Sequence, residues 1–308
     1  MRSKHFYPSN PILKRVNWMS KCPRFGPAGV PPLFRILRTH LADVPRLLRE
    51  ENLDALEYQA VKWDQKPQMT QEDAESLGAE AKKRDVLLSM HGSYYLNLCG
   101  KEEVVEASKK RLVACATAAD WMGAYVVVFH TGFYGRLEKS YALKTCIKAL
   151  KEVVATMKSL GIRNVKLGPE TMGRVFQIGS LKEILAICEE VEQTQLVIDW
   201  SHMHARRKGR FRKIADFRDV VEEVERRLGT TAVRSMHCHF SKIEYTDKGE
   251  KRHHVLDEAK YGPDFEMLSE VMVEFKMQPV IVCETPLLDI DAIKMRDTYM
   301  KALERNRG

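Results

Sequence analysis

The sequence predicts an α/β protein, a single (β/α)8 (TIM) barrel, on three observations. Past residue 50, short apolar runs alternate with longer amphipathic stretches; the runs number seven clear cases and one weak one; and 308 residues are ample for such a barrel. Strand then helix, repeated, implies parallel strands joined by right-handed crossovers. A doubly wound open sheet is the competing architecture, but no GxGxxG follows the first strand to support it.

The first strand carries the weakest signal, RFGPAG at 24–29. The next run, 55–58, is clear. The following helix, 70–84, opens on Thr70 with Asp73 three residues on, a pattern resembling a capping box. Strands at 86–91 and 124–130 are rich in Val, Leu and Phe and too short for buried helices. Helices at 102–121 and 141–160 repeat apolar residues at spacings of three and four, and the second stops at Gly161. Strands at 164–170, 195–199, 233–239 and 279–284 alternate with helices at 180–191, 214–228, 265–275 and 290–303, which completes eight units. Residues 1–20 read as a basic extension without assigned function, and 21–308 as one barrel domain.

Composition narrows the class. With 44% hydrophobic residues the chain can bury a full core, which excludes disorder. No run of eighteen apolar residues exists, and the polar beginning MRSKHFYPSN lacks the apolar stretch of a secretory leader. The seven cysteines are scattered with no CxxC pair, so reduced thiols and a cytoplasmic location are expected. The net charge of +8 permits an anionic partner.

In a barrel of this kind the chemistry gathers where strands end. The third run ends at His91, the fourth at His130 and the fifth at Glu170. The sixth ends at Asp199 with His202 three residues on, the seventh offers His237 and His239, and the eighth ends at Glu284. About one residue in six of the chain is His, Asp or Glu, so six consecutive strand ends of these types are a pattern rather than a coincidence. Imidazole and carboxylate together suit zinc, with manganese or iron as competitors. One ion needs three or four ligands; seven or eight imply at least two ions, with Glu170 free to bridge them. Paired ions are a standard means of activating water against a phosphate. His239 shares the face of His237 and is expected to line the pocket without being a ligand, and His254 is read as structural. Cys238 and Cys283 alternate to the opposite face and are read as packing residues.

The motifs HGSYYLNL, FHTG, PET, IDWSH, MHCHFSK and CETP resemble, in order, the strand-end signatures of the endonuclease IV group of abasic-site DNA endonucleases, within the xylose-isomerase-like barrels. The resemblance runs over about 24–284. It implies one zinc held by His91, His130 and Glu170, and a second by Glu170, Asp199, His237 and Glu284. A third would use His202 and His253, but Lys251 stands where an aspartate is expected, with Glu250 and Asp247 as nearby substitutes. Two or three zinc ions, or manganese, are thus the implied cofactors, with Glu170 and Glu284 in catalytic roles. The implied substrate is double-stranded DNA with an abasic site, cut on its 5′ side by a monomeric enzyme without membrane attachment.

For DNA contact the resemblance points to Tyr94 and Tyr95 as a wedge into the duplex. Lys62, beside Trp63, is nearest to the family's intercalating arginine, and the Asn-Asp pair after the seventh-strand histidine is replaced by His239 and Phe240. The segment ARRKGRFRK at 205–213 carries six basic side chains and reads as a loop beside the site, so Arg206, Arg207, Lys208 and Arg210 are candidates for phosphate contact. The competing function is a sugar isomerase or epimerase with one ion among Glu170, Asp199, His237 and Glu284. The pairing of His91 with His130 and the basic segment favour the nuclease, whereas Lys251 favours the isomerase. A metal-free binding protein ranks third, because the ligand set looks complete.

Overall fold

A computed structural model describes residues 22–306; the extension expected at 1–20 lies outside the described residues. Eight parallel strands close into a barrel. They are β1 (Arg24–Pro27), β2 (Ala55–Gln59), β3 (Leu87–His91), β4 (Val126–Phe129), β5 (Lys166–Pro169), β6 (Val197–Asp199), β7 (His237–Phe240) and β10 (Val280–Cys283). Between β7 and β10 an antiparallel hairpin is inserted, β8 (Lys242–Thr246) with β9 (Gly249–His254). The barrel strands form two four-stranded arcs, β1-β10-β7-β6 and β2-β3-β4-β5. Parallel bridges from Ala28 to Glu57 and from Glu170 to Val197 join the arcs at both seams.

Each strand exists for a local reason. Parallel strands are covered on both faces, so they read as apolar runs, and Val126–Phe129 and Val280–Cys283 are buried throughout. The helices that cover them carry the signals that the sequence displays. Thr70 caps α3 (Gln71–Arg84) by accepting the Asp73 N–H, and Ser180 forms a full capping box with Glu183 at α6 (Leu181–Glu190). The two longest helices, α4 (Glu102–Met122) and α5 (Lys139–Ser159), present Ala, Leu, Val and Cys stripes to the barrel. The outer ring is completed by α8 (Ile214–Leu228), α10 (Phe265–Glu274) and α11 (Asp289–Arg305).

Two layers of core result. A small one, with Ala55, Tyr125, Val126, Val128, Val197, Val280 and Val282, fills the barrel interior; a large one lies between barrel and helices and includes Cys238 and Cys283, as their alternation predicts. No helix among the described residues is long and apolar enough to cross a membrane.

Three segments differ from expectation. The β1–β2 connection contains two helices, α1 (Pro32–Ile36) and α2 (Val44–Glu50), each with proline in its first turn. Residue 233, expected to begin a strand, sits in the helix α9 (Thr230–Arg234), and β7 starts only at His237. The start of the basic segment is helical: Ala205 and Arg206 close α7 (Trp200–Arg206), which Asp199 caps by accepting the His202 N–H.

Candidate metal centre

Glu170, the residue after β5, is fully buried and stands at the centre of an imidazole and carboxylate cluster at the C-terminal mouth of the barrel. Its Oε2 faces His130 Nε2 at 3.2 Å and His91 Nε2 at 3.5 Å. Its Oε1 faces His239 Nδ1 at 3.2 Å and His202 Nδ1 at 3.3 Å. The carboxylate therefore looks two ways, as a bridging ligand would. Thr171, next in sequence, ties β5 to β6: its Oγ1 accepts the Asp199 N–H at 2.9 Å, which sets the depth of Asp199 against Glu170.

Two groups of ligating atoms meet at Glu170, each with all members within 4.8 Å of one another: His91, His130 and Glu170; and Glu170, Asp199, His239 and Glu284. A third comprises His202, His253 and Glu284, and a fourth, deeper in the barrel, Glu57, His237 and His239. The donor chemistry fits divalent cations. The His91 ring donates from Nδ1 to the Gly92 carbonyl at 3.0 Å, so in the neutral ring Nε2 is a lone pair aimed at a carboxylate. Glu170 Oε2 and Asp199 Oδ2 are buried without a hydrogen-bond donor. Lone pair facing lone pair in a buried space calls for a cation between them.

In the protein alone, the histidines themselves offset the charge of these buried carboxylates. Burial opposes charge on Glu170, yet the surrounding His239, His130 and His202 hold it well below the ordinary carboxylate range. Asp199 moves the other way, pushed well above its usual value by burial and by the proximity of Glu284 and Glu170. Burial works against a charged His239, but Glu57, Glu284 and Glu170 together raise it well above the usual imidazole value.

The structure brings together His91, His130, Glu170, Asp199, His202, His253 and Glu284 as the sequence proposes, and differs at His237. Strand register supplies the reason. His237 is level with Val197 and Val280, inside the apolar layer of the barrel, whereas His239 is level with Asp199 and Val282, one layer nearer the mouth. His239 therefore takes the place expected for His237, with Nδ1 at 3.2 Å from Glu284 Oε1. His237 reaches Glu57 at 3.2 Å instead.

Glu250 occupies the place expected of the aspartate at 251. Its Oε2 is 3.3 Å from His202 Nε2, while Lys251 turns outward to Glu244 at 2.8 Å and Asp247 pairs with Lys208 at 2.6 Å. Glycines permit this approach: a Cβ on Gly173 would stand 2.2 Å from Glu250 Oε2, and the Gly173 N–H donates to that oxygen at 3.1 Å. His254 is structural, as expected, stacked on Tyr261 and bonded to Glu258. Glu57 was invisible to the strand-end reading because it lies inside an apolar run; its signal was a carboxylate flanked by Leu56 and Tyr58.

At the rim, Tyr94 stacks on His130 with ring centroids 5.2 Å apart, and both Tyr94 and Tyr95 are about half exposed. Lys62 is exposed near them, while Trp63 is buried against Tyr58. The basic segment is largely spoken for. Arg206 donates to the carbonyls of Met172, Arg174 and Gln177, pinning the β5–α6 loop, and Arg210 pairs with Asp219 at 3.1 Å. Arg207 and Lys208 are exposed.

The chain matches the family described as xylose isomerase-like TIM barrel over residues 45–304. An uncharacterized protein of Methanocaldococcus jannaschii is 32% identical over 276 residues, covering 89% of this chain and 96% of its own length. A probable endonuclease 4 of Persephonella marina is 24% identical over 225 residues, 70% of this chain and 73% of its own. Among solved structures, endonuclease IV from Thermus thermophilus superposes with a TM-score of 0.66 at 20% identity, covering 86% of this chain and 94% of that one. A D-tagatose 3-epimerase-like protein does so with 0.65 at 18% identity, covering 87% and 98%. The fold is thus common to nucleases and sugar epimerases and does not choose between them.

Proposed function

The chain belongs to the xylose isomerase-like TIM barrel family, as a divergent relative of endonuclease IV, and from that premise we propose that it is a metal-dependent phosphodiesterase that cuts duplex DNA on the 5′ side of an abasic site. The observation that carries this reading is the cluster of His91 and His130 on the second oxygen of Glu170. A sugar isomerase or epimerase needs one ion, for which Glu170, Asp199, His239 and Glu284 suffice; two more histidines make sense where a second ion is used.

His91, His130 and Glu170 would hold one ion and Glu170, Asp199, His239 and Glu284 another, with His202, His253 and Glu250 offered to a third; zinc or manganese suits these donors. Bound ions supply Lewis-acid stabilisation of the scissile phosphate and a water acidic enough to act as nucleophile at neutral pH. Glu170 keeps the two ligand groups in fixed relation, and Glu284, whose Oε2 also faces His253 at 4.0 Å, orients the attacking water. Tyr94 and Tyr95 are offered to the flipped-out region of the duplex. Arg207 and Lys62 are exposed and offered to backbone phosphates, and Lys208 would join them on leaving its pair with Asp247; such contacts give affinity and salt dependence without sequence choice.

The test is cleavage of a duplex bearing one abasic site by zinc- or manganese-loaded protein, with Glu170→Gln as control. Cutting 5′ to the site by the wild type, and loss of at least about 100-fold in the variant, is expected, since the bridging carboxylate serves both ligand groups. Absence of cutting by protein with ions bound would transfer the site to sugar chemistry.

A further inference from the structure

Glu57 lies beneath the metal centre, fully buried on β2, where no strand-end motif directs attention. Four donors converge on its carboxylate. Oε2 accepts from Ser89 Oγ at 3.1 Å and faces the Nε2 atoms of His237 and His239, each at 3.2 Å. Oε1 accepts from Gln59 Nε2 at 3.2 Å. The two imidazoles are not equivalent. His237 points its Nδ1 at the Tyr125 hydroxyl 2.5 Å away, and burial keeps that phenol protonated, well above its usual value. His239 points its Nδ1 upward, 3.2 Å from both Glu170 and Glu284.

We propose that Glu57 is a positioning residue for His239: it accepts the Nε2–H, which fixes the tautomer and ring plane that present Nδ1 to the ion held with Glu170, Asp199 and Glu284. The inference rests on the metal-centre reading above. A neutral imidazole that ligates through one nitrogen carries its proton on the other and needs an acceptor there. Glu57 is the carboxylate that meets this need, and Ser89, Gln59 and His237 hold it still. Tyr125 donates to His237 Nδ1, His237 Nε2–H donates to Glu57, and Oε2, shared by both rings and Ser89, keeps no bare lone pair. This closed pattern separates the proposal from its competitor, an additional ion among Glu57, His237 and His239. That ion would require bare Nε2 lone pairs on both rings and so a doubly deprotonated His239 bridging two sites.

The test measures metal binding and needs no nucleic acid. Wild type, Glu57→Gln and Glu57→Asp are titrated with Co2+ and with Zn2+ in competition with a chelator. Glu57→Gln removes the charge and leaves one acceptor oxygen where four donors converge; it should weaken one ion by about 10–100-fold and alter the Co2+ absorption bands, with the ion count at saturation unchanged. Glu57→Asp, which keeps the charge, should recover part of that loss. Should the variants fail to fold, the 15N imidazole spectrum of the zinc-loaded wild type decides: a protonated Nε2 with a ligated Nδ1 on His239 is expected, and an unprotonated Nε2 overturns the proposal. It is equally overturned by wild-type affinity and spectrum in Glu57→Gln, or by loss of one whole ion equivalent in both Glu57→Gln and His237→Ala. Wild type that binds ions but leaves abasic DNA uncut would defeat the nuclease reading and leave this inference standing.

Discussion

Glu250 is held in the mouth of the site by contacts that involve no metal. Its Oε2 accepts the Gly173 N–H at 3.1 Å, and Arg174 approaches its Oε1 at 3.4 Å. A carboxylate so anchored presents the same oxygen to His202 Nε2, 3.3 Å away, where an ion shared with His253 would need a charged ligand. Lys251, the next residue, is exposed and bonded to Glu244, so its charge is directed into solvent. Glu250→Gln should therefore weaken the ion at His202 and His253 by at least about tenfold, the lower end of what even an outer-shell partner contributes. Lys251→Ala should leave metal content unchanged. Elemental analysis after dialysis against a graded series of chelator concentrations checks both, and equal loss in the two variants would refute the assignment. The neighbouring pair shows what one residue of register does: Glu250 and Lys251 alternate across β9, so a motif aligned one position off exchanges an inward carboxylate for an outward ammonium.

The hairpin of β8 and β9 delivers Glu250, and it does so at a close backbone crossing. Gly249 has φ of +101°, and a Cβ there would stand 2.2 Å from the Gly173 carbonyl oxygen. Gly249→Ala should cost about 1–3 kcal/mol of stability through the strained backbone and the clash. Because the hairpin must recoil from the β5–α6 loop, the same variant should also release the ion that Glu250→Gln releases. Thermal unfolding together with metal content tests this; a destabilised variant with wild-type metal content would detach the hairpin from the site. The hairpin was the least legible element in the sequence, for a physical reason. Its stretch KIEYTDKGEKRHH is dominated by charge, with one buried apolar side chain at Ile243, so neither face shows a hydrophobic period. The barrel strands were legible because both their faces are buried, and the helices because Thr70, Ser180 and Gly161 mark their ends. Of the six expected strand-end ligands, His91, His130, Glu170, Asp199 and Glu284 needed only that framework. His237 and His239 were not separable by it: residues two apart share a face, and which one reaches the ion depends on how deep in the barrel β7 begins, which follows from α9 taking up 230–234.

At the scale of the whole molecule, the excess of basic over acidic residues is plain in the sequence, 50 against 42, but how the cations are spent is not. Arg206 ties α7 to the β5–α6 loop and Arg210 ties the segment after α7 to α8 through Asp219, while His204 anchors that same segment from inside. Its ring is buried between Phe211, stacked at 6.2 Å, and Tyr245, edge-on at 5.7 Å, and its Nδ1 accepts the Phe211 N–H at 3.2 Å. Burial, with Arg212 nearby, lowers its pKa to about 4. The unfolded chain, with an imidazole pKa of about 6.5, binds this proton more readily than the fold does. The contribution to stability is therefore complete above about pH 6.5 and is lost as the pH falls toward about 4, for a total of about 3 kcal/mol at most. His204→Asn keeps an acceptor for the Phe211 N–H but has no proton to gain. It should be less stable than wild type at pH 7, through lost ring packing, and should lose less on acidification. Urea unfolding of both metal-free proteins at pH 7 and pH 4.5 isolates the effect, because titration of the other histidines is common to the two and cancels in the difference. A wild-type slope that persists in His204→Asn would assign the acid sensitivity to the histidines of the metal centre instead, and metal loading would then suppress it.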